Sequence, residues 1–242
     1  MRIHVAVRCR DEIEAVPWFI ANCTFADKIH VCDGGSTDGT LEWLRKEACK
    51  DKRIHLTQFK EEHGFYQRQA AHLNTLMNKI DFDDGDWVIT DDADDIFTVD
   101  FQDGIREYLS NALLKPKTAA AFMFYYLCPN WHEYYTELSM YVWHAAHSWI
   151  PLYLEEDTTT EFAREQPENL IEAPHELAIV HFNYAMKDRF ERKRKLYEKK
   201  FGYPSWHPDE KYPQRSELPE KCRWYGPDGT IRWSDDMDGV FA

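Results

Sequence analysis

Trp87-Val88-Ile89-Thr90-Asp91-Asp92-Ala93-Asp94-Asp95 is a short apolar run that ends abruptly in four carboxylates. Val88 and Ile89 are β-branched and follow the turn-forming Asp83-Asp84-Gly85-Asp86, so the run reads as a buried strand. Carboxylates crowded at one strand end repel one another unless a cation holds them, and hard oxygen ligands suit Mg²⁺ or Mn²⁺ rather than zinc. Asp92 and Asp94 are the candidate pair. An isolated Asp-x-Asp is common by chance as a solvated loop after a strand, so the rest of the chain decides. An EF-hand calcium loop is excluded, because phasing from Asp81 or from Asp92 fails to put Gly sixth and Glu twelfth.

Upstream, Ile3-His4-Val5-Ala6-Val7 predicts a first strand, followed by polar Arg8-Cys9-Arg10-Asp11-Glu12. The apolar segment 13–21 then reads as a helix that can start at Pro17, since Pro favours the first turn. A second strand over 29–32 ends at Asp33, and the loop 34–40 opens a helix with Leu41, Leu44 and Ala48 on one face. A third strand over 54–56 and a helix over 66–77 precede the acidic strand. This alternation predicts an α/β fold with a parallel sheet. Ligands of such sheets bind beyond the carboxyl ends of the strands, which puts Asp33 and Asp92 on one rim. Asp33 has two readings: acceptor of a ribose hydroxyl or base N–H, or cap of the next helix. Gly34-Gly35 is not a phosphate loop, since neither Gly-x-x-x-x-Gly-Lys-[Ser/Thr] nor Gly-x-Gly-x-x-Gly is present.

The 242 residues suffice for one sizeable core, either one large α/β domain or a domain with an appendage, and the former is favoured. A net charge of −14 argues against broad phosphate neutralisation of a nucleic acid, which disfavours a nucleic-acid acceptor. The six cysteines form no CxxC pair and read as reduced thiols of a cytoplasmic protein. The longest apolar run, 119–128, is about half the length a membrane-spanning helix needs.

Three stretches, Val5 to Glu12, Asp33-Gly34-Gly35-Ser36-Thr37-Asp38-Gly39-Thr40 and Trp87 to Asp95, together resemble the GT-A glycosyltransferases, specifically the family 2-like branch. They occur in the family's order over roughly the first hundred residues, and the middle one is nearly the whole D-(G/N)-x-S-x-D-G-T motif. The resemblance implies a GT-A, Rossmann-like, mostly parallel sheet flanked by helices. It implies that Arg8 and Asp33 hold the nucleobase, with Asp92 near the ribose and the metal and Asp94 on the metal. Arg68 falls where the family often has an Arg on the nucleotide side, although Gln69 stands where Asn is usual. The expected activity is inverting transfer from a nucleoside-diphosphate sugar, UDP being the commonest donor nucleotide, to a hydroxyl of a glycan or other acceptor. Mn²⁺ or Mg²⁺ would stabilise the departing diphosphate. The rivals are a sugar-phosphate nucleotidyltransferase and a non-catalytic carbohydrate-binding module of the same fold.

Downstream, Phe101, Ile105, Tyr108 and Ala112 mark a helix face, and 119–127 reads as another buried strand. The aromatic-rich 129–174, with Trp131, Trp143, His144, His147 and Trp149, either shapes the acceptor pocket or fills the core. Glu155, Glu156, Asp157, Glu172 and Glu176 are candidate bases, with Asp157 and Glu176 preferred. A strand over 178–182 delivers His181, which the resemblance makes a further metal or diphosphate ligand, ahead of a basic helix over 186–201. That helix reads mainly as a solvated face. Residues 1–202 are expected to form the glycosyltransferase domain, divided into a nucleotide-sugar half (1–100) and an acceptor half (101–202). Residues 203–242 are expected to form a Pro- and aromatic-rich arm packed on the domain, its prolines interrupting every potential helix.

Overall fold

The structure, a computed structural model, describes residues 1–59, 69–111, 117–147, 151, 153–155, 162–201, 208–219, 222–237 and 240. The chain begins with β1 (Ile3–Cys9), α1 (Val16–Ala21), β2 (Lys28–Asp33), α2 (Thr40–Lys50), β3 (Ile54–Gln58), α3 (Gln69–Met77) and β4 (Trp87–Asp92). Next come β5 (Asp95–Phe97), α4 (Val99–Asn111), β6 (Thr118–Tyr126), β7 (Glu133–Tyr135), β8 (Met140–His147), β9 (Tyr153–Glu155), β10 (Phe162–Arg164), β11 (Asn169–Glu172) and β12 (Ala178–His181). The final elements are α5 (Lys187–Phe201), α6 (Pro208–Lys211), β13 (Arg215–Glu217), β14 (Arg223–Tyr225) and β15 (Ile231–Trp233).

One sheet runs in the order β3-β2-β1-β4-β8-β6-β12-β5, with β11 also on β6. β1 to β4 are parallel, β8 runs antiparallel between β4 and β6, β12 and β11 are parallel to β6, and β5 is antiparallel to β12. This mostly parallel sheet flanked by helices is the GT-A, Rossmann-like class expected from the sequence.

Strand alternation builds two apolar layers. Ile3, Val5, Val7, Ile29, Val31, Trp87 and Ile89 enter the larger core with Phe19, Phe97, Phe101 and Phe122. Ala6, Cys32, Val88, Ala119 and Ala146 face the other side, beneath Ala70, Leu73, Leu76 and Met77 of α3.

The chain moves outward from β1 to β3 and then returns to β4 on the opposite side of β1. A crevice therefore opens between the carboxyl ends of β1 and β4. Parallel register places Arg8 beside Asp92 there, and Cys9 beside Asp33.

In the C-terminal segment β13 pairs with β7, while Trp224 is fully buried with its ring 5.1 Å from that of Phe182. Asn22 receives the Tyr225 N–H at 2.7 Å and donates to the Tyr225 carbonyl at 2.8 Å. The expectation that prolines interrupt every helix here is corrected by α6, which begins at Pro208. Pro needs no backbone acceptor at the first helical position and already has a helical φ.

Candidate functional site

The loop after β2 acts first as a scaffold. Asp33 is fully buried, and its carboxylate accepts the N–H groups of Gly35 (3.0 Å) and Ser36 (3.2 Å) and the Ser36 hydroxyl (2.5 Å). These bonds cap the turn 33–36, whereas the helix that follows begins at Thr40 with Gly39 at its N-cap, so Asp33 does not cap that helix. The loop then grips the segment after β1. Ser36 Oγ accepts the Asp11 N–H at 2.9 Å, Thr40 Oγ1 accepts that of Glu12 at 2.9 Å, and Asp38 accepts that of Ile13 at 3.0 Å. Gly39 enters α2 at φ 101°, a conformation that favours glycine. Glu12 is thereby fixed at the crevice.

Beyond β4 the four carboxylates separate by environment. Asp92 is the exposed one, 3.5 Å from Arg8 Nη2. Asp91 is buried, 2.6 Å from Nδ1 of His144 on β8. Asp94 and Asp95 are buried at the rim. Antiparallel register between β5 and β12 sets His181 against Asp95, with Nδ1 2.5 Å from Asp95 Oδ1. Nε2 lies 3.9 Å from Asp94 Oδ2. Asp95 Oδ2 accepts the Asp92 N–H at 2.9 Å, so one carboxylate braces both the imidazole and the acidic turn.

Burial pushes the Asp95 carboxyl up to about 7, with His181 opposing the rise and Asp91 and Asp94 adding to it. Burial works against a charged His181, but the Asp94 and Asp95 carboxylates outweigh it and raise its pKa. Asp94 moves the other way: burial opposes its charge, while Arg189, Lys193 and His181 hold it well below the usual carboxylate range.

Ligand atoms of Asp94, Asp95 and His181 all lie within 4.8 Å of one another. A metal-binding imidazole commonly offers one nitrogen to the ion while a carboxylate orients the other. Here Asp95 takes Nδ1, leaving Nε2 toward Asp94. The Asp94 carboxylate and the His181 imidazole, with Asp92 at the exposed edge, fit Mn²⁺ or Mg²⁺.

Glu12, Arg189 and Lys193 complete the rim. Arg189, in the first turn of α5 and 3% exposed, holds Glu12 Oε2 through Nε (2.7 Å) and Nη2 (2.6 Å). Its Nη1 lies 2.8 Å from Asp94 Oδ2 and 2.8 Å from Asn183 Oδ1. Lys193 pairs with the other oxygen of Glu12. None of the three stood among the candidate residues. A signal existed: Met186, Arg189 and Lys193 share one helical stripe, and Met186 at its start is apolar and buried.

The structure thus brings together Arg8, Asp92, Asp94 and His181, with Asp33 beneath the adjoining loop. Glu176 lies elsewhere: it is exposed and precedes the amino end of β12, whereas His181 ends that strand. It lines a separate cavity of about 290 Å³ with Asp100, Tyr125, His175 and Cys222. Arg68, Asp157, Glu156 and Trp149 lie outside the described residues. Trp131 and His144 are buried and Trp143 packs against the layer under α3, so these rings serve the core. Among the described residues no helix is long and apolar enough to cross a membrane.

No protein-family model and no curated protein matches this sequence. Among solved structures, the chain is similar to residues 1–349 of S. aureus TarS, at 13% identity and a TM-score of 0.39 over 53% of this chain and 36% of that one. It is also similar to the mannosyltransferase PcManGT from Pyrobaculum calidifontis, in complex with GDP-Man and Mn²⁺, at 22% identity and a TM-score of 0.38 over the same shares, 53% and 36%. A putative glucose-1-phosphate thymidylyltransferase from Bacillus anthracis aligns over 88% of this chain and 78% of that one, at 11% identity and a TM-score of 0.34. The chain spans about a third of the length of the first two. Likeness this distant carries no argument about activity, which rests on the rim itself.

Proposed function

We propose that this protein is an inverting, metal-dependent glycosyltransferase that moves a sugar from a nucleoside-diphosphate sugar, UDP-linked, to a hydroxyl of a glycan or other acceptor. The observation that carries the reading is the Asp95–His181–Asp94 arrangement, set at the crevice between β1 and β4 and beside the loop 33–40.

On this reading Asp94 and Nε2 of His181 would hold Mn²⁺ or Mg²⁺, joined by Asp92 at the exposed edge, and Asp95 would orient the imidazole. The ion supplies Lewis-acid stabilisation of the charge that develops on the departing diphosphate. Arg8 and Asp33 take the nucleotide side, joined by Arg68. Asp157 and Glu176 are the proposed proton acceptors for the acceptor hydroxyl, and the place of Glu176 at the amino end of β12 favours Asp157.

The test is release of nucleoside diphosphate from a panel of nucleotide sugars with Mn²⁺, repeated with Asp94→Asn and with EDTA. Release that stops under both supports the proposal. No release from any donor, or release unaltered by both, overturns it. Pyrophosphate formed from a nucleoside triphosphate and a sugar phosphate would assign a nucleotidyltransferase instead. Glycan binding independent of metal and nucleotide would assign a binding module.

A further inference from the structure

Glu12, Asp92, Asp94 and Asp95 bring carboxylates to the rim, and Arg8, Arg189 and Lys193 bring fixed cations among them. Much of the negative charge that would attract a divalent ion is thus already paired within the protein. Asp94 is the critical case. Its Oδ2, the atom nearest His181 Nε2, is also the atom that accepts Arg189 Nη1 at 2.8 Å. An ion bound by Asp94 must share that carboxylate with a guanidinium that cannot retreat into water. Arg189 is 3% exposed and is gripped on its far side by Glu12, whose own N–H is tied to Thr40. Two cations on one buried carboxylate repel strongly, because neither solvent nor salt screens them well there.

We infer that Arg189 is a resident cation that shares Asp94 with the divalent ion, so that the rim holds the bare ion weakly and retains it when an anionic diphosphate enters with it. The inference rests on the metal site proposed above. Arg189 differs in this from a bracket that merely positions Asp94. A bracket strengthens metal binding, whereas a competing cation weakens it, so the two roles predict opposite signs.

The test is titration of the full chain with Mn²⁺, following the free ion by electron paramagnetic resonance, with and without UDP. Arg189→Met keeps length and removes charge, and is expected to bind bare Mn²⁺ about ten-fold tighter than the unsubstituted protein while losing most of the further gain from UDP. Arg189→Lys keeps the charge and should stay within about two-fold of the unsubstituted protein for bare Mn²⁺. Glu12→Gln turns the guanidinium wholly toward Asp94 and should weaken bare Mn²⁺ binding several-fold. Circular dichroism and thermal unfolding accompany each variant. Equal or weaker Mn²⁺ binding by folded Arg189→Met overturns the inference while leaving the metal site standing. Should Arg189→Met not fold, Glu12→Gln decides, and affinity equal to or tighter than that of the unsubstituted protein overturns it. If no form binds Mn²⁺ with or without UDP, the metal site itself fails and the inference with it.

Discussion

Asp95 holds Nδ1 of His181 at 2.5 Å, and this single contact decides which nitrogen of the imidazole faces Asp94. The pairing follows from register, since β5 and β12 run antiparallel with His181 opposite Asp95. Acidic residue and imidazole come from parts of the chain 86 residues apart.

Replacing the orienting carboxylate tests that geometry. Asp95→Asn should leave the chain folded and weaken Mn²⁺ binding by roughly 10- to 100-fold, the usual effect of losing a partner behind a ligand. Unchanged Mn²⁺ affinity would show that His181 is not oriented for a metal.

Asp92 and Asp94 should differ sharply in stability although they stand two residues apart. Among the described residues, Asp94→Asn leaves the buried guanidinium of Arg189 with Glu12 as its remaining carboxylate partner and should cost about 3 kcal/mol. Asp92 has a 54% exposed side chain, and Asp92→Asn should cost less than about 0.5 kcal/mol. Urea denaturation of the two variants makes the comparison; equal losses would contradict it.

A file of imidazoles across the opposite end of the sheet makes stability pH-dependent. His4 Nδ1 lies 3.1 Å from His30 Nε2, and the His30 ring stacks on His55 with centroids 5.2 Å apart. Burial, then the neighbouring His4, His55 and Lys28, bring His30 down to about 3 from an ordinary 6.5. Burial also lowers His4, against the opposing pull of Asp86. The unfolded chain takes up these protons first, so the contribution is complete above about pH 6.5 and disappears as pH falls toward about 3. Inside that window His30 alone should remove about 1.4 kcal/mol per pH unit. Denaturation curves from pH 7 to 4 should show this slope, and His30→Gln should flatten it; an equally steep loss in the variant would rule His30 out as its source.

The C-terminal segment should contribute to the stability of the whole chain. Trp224 is fully buried against Phe182, the residue that follows His181 and whose N–H bonds the Asp94 carbonyl at 2.8 Å. Trp224→Ala should cost about 3–5 kcal/mol, read as a single cooperative shift in thermal unfolding. A separate low-temperature transition with the main one unmoved would show that the segment folds apart from the sheet.

Much of the first half was legible because its signals are local. β-branched runs, Pro17 in the first turn of α1 and the apolar stripe Leu41, Leu44 and Ala48 each act within a few residues, and the elements formed where those signals lie. Asp94 and His181 stood out for the same reason, as polar residues at the ends of apolar runs. Asp95 stands outside the candidate pair Asp92 and Asp94, and Arg189 falls on a helix that reads mainly as a solvated face. Their roles depend on partners 86 and 95 residues away, and no local pattern encodes those pairings. Glu176 illustrates the converse: a carboxylate close in sequence to His181 precedes the amino end of the strand that His181 ends.

By itself, then, the sequence determined the α/β alternation, the acidic strand end and the loop 33–40, because backbone preference and side-chain periodicity act over a few residues. Tertiary structure alone decided that Asp33 caps a turn, that Asp95 aims His181, and that Glu12 and Arg189 share the charge of Asp94. Those outcomes depend on strand register and on burial, which removes water as a competing partner and makes it costly to leave one member of a buried ion pair alone.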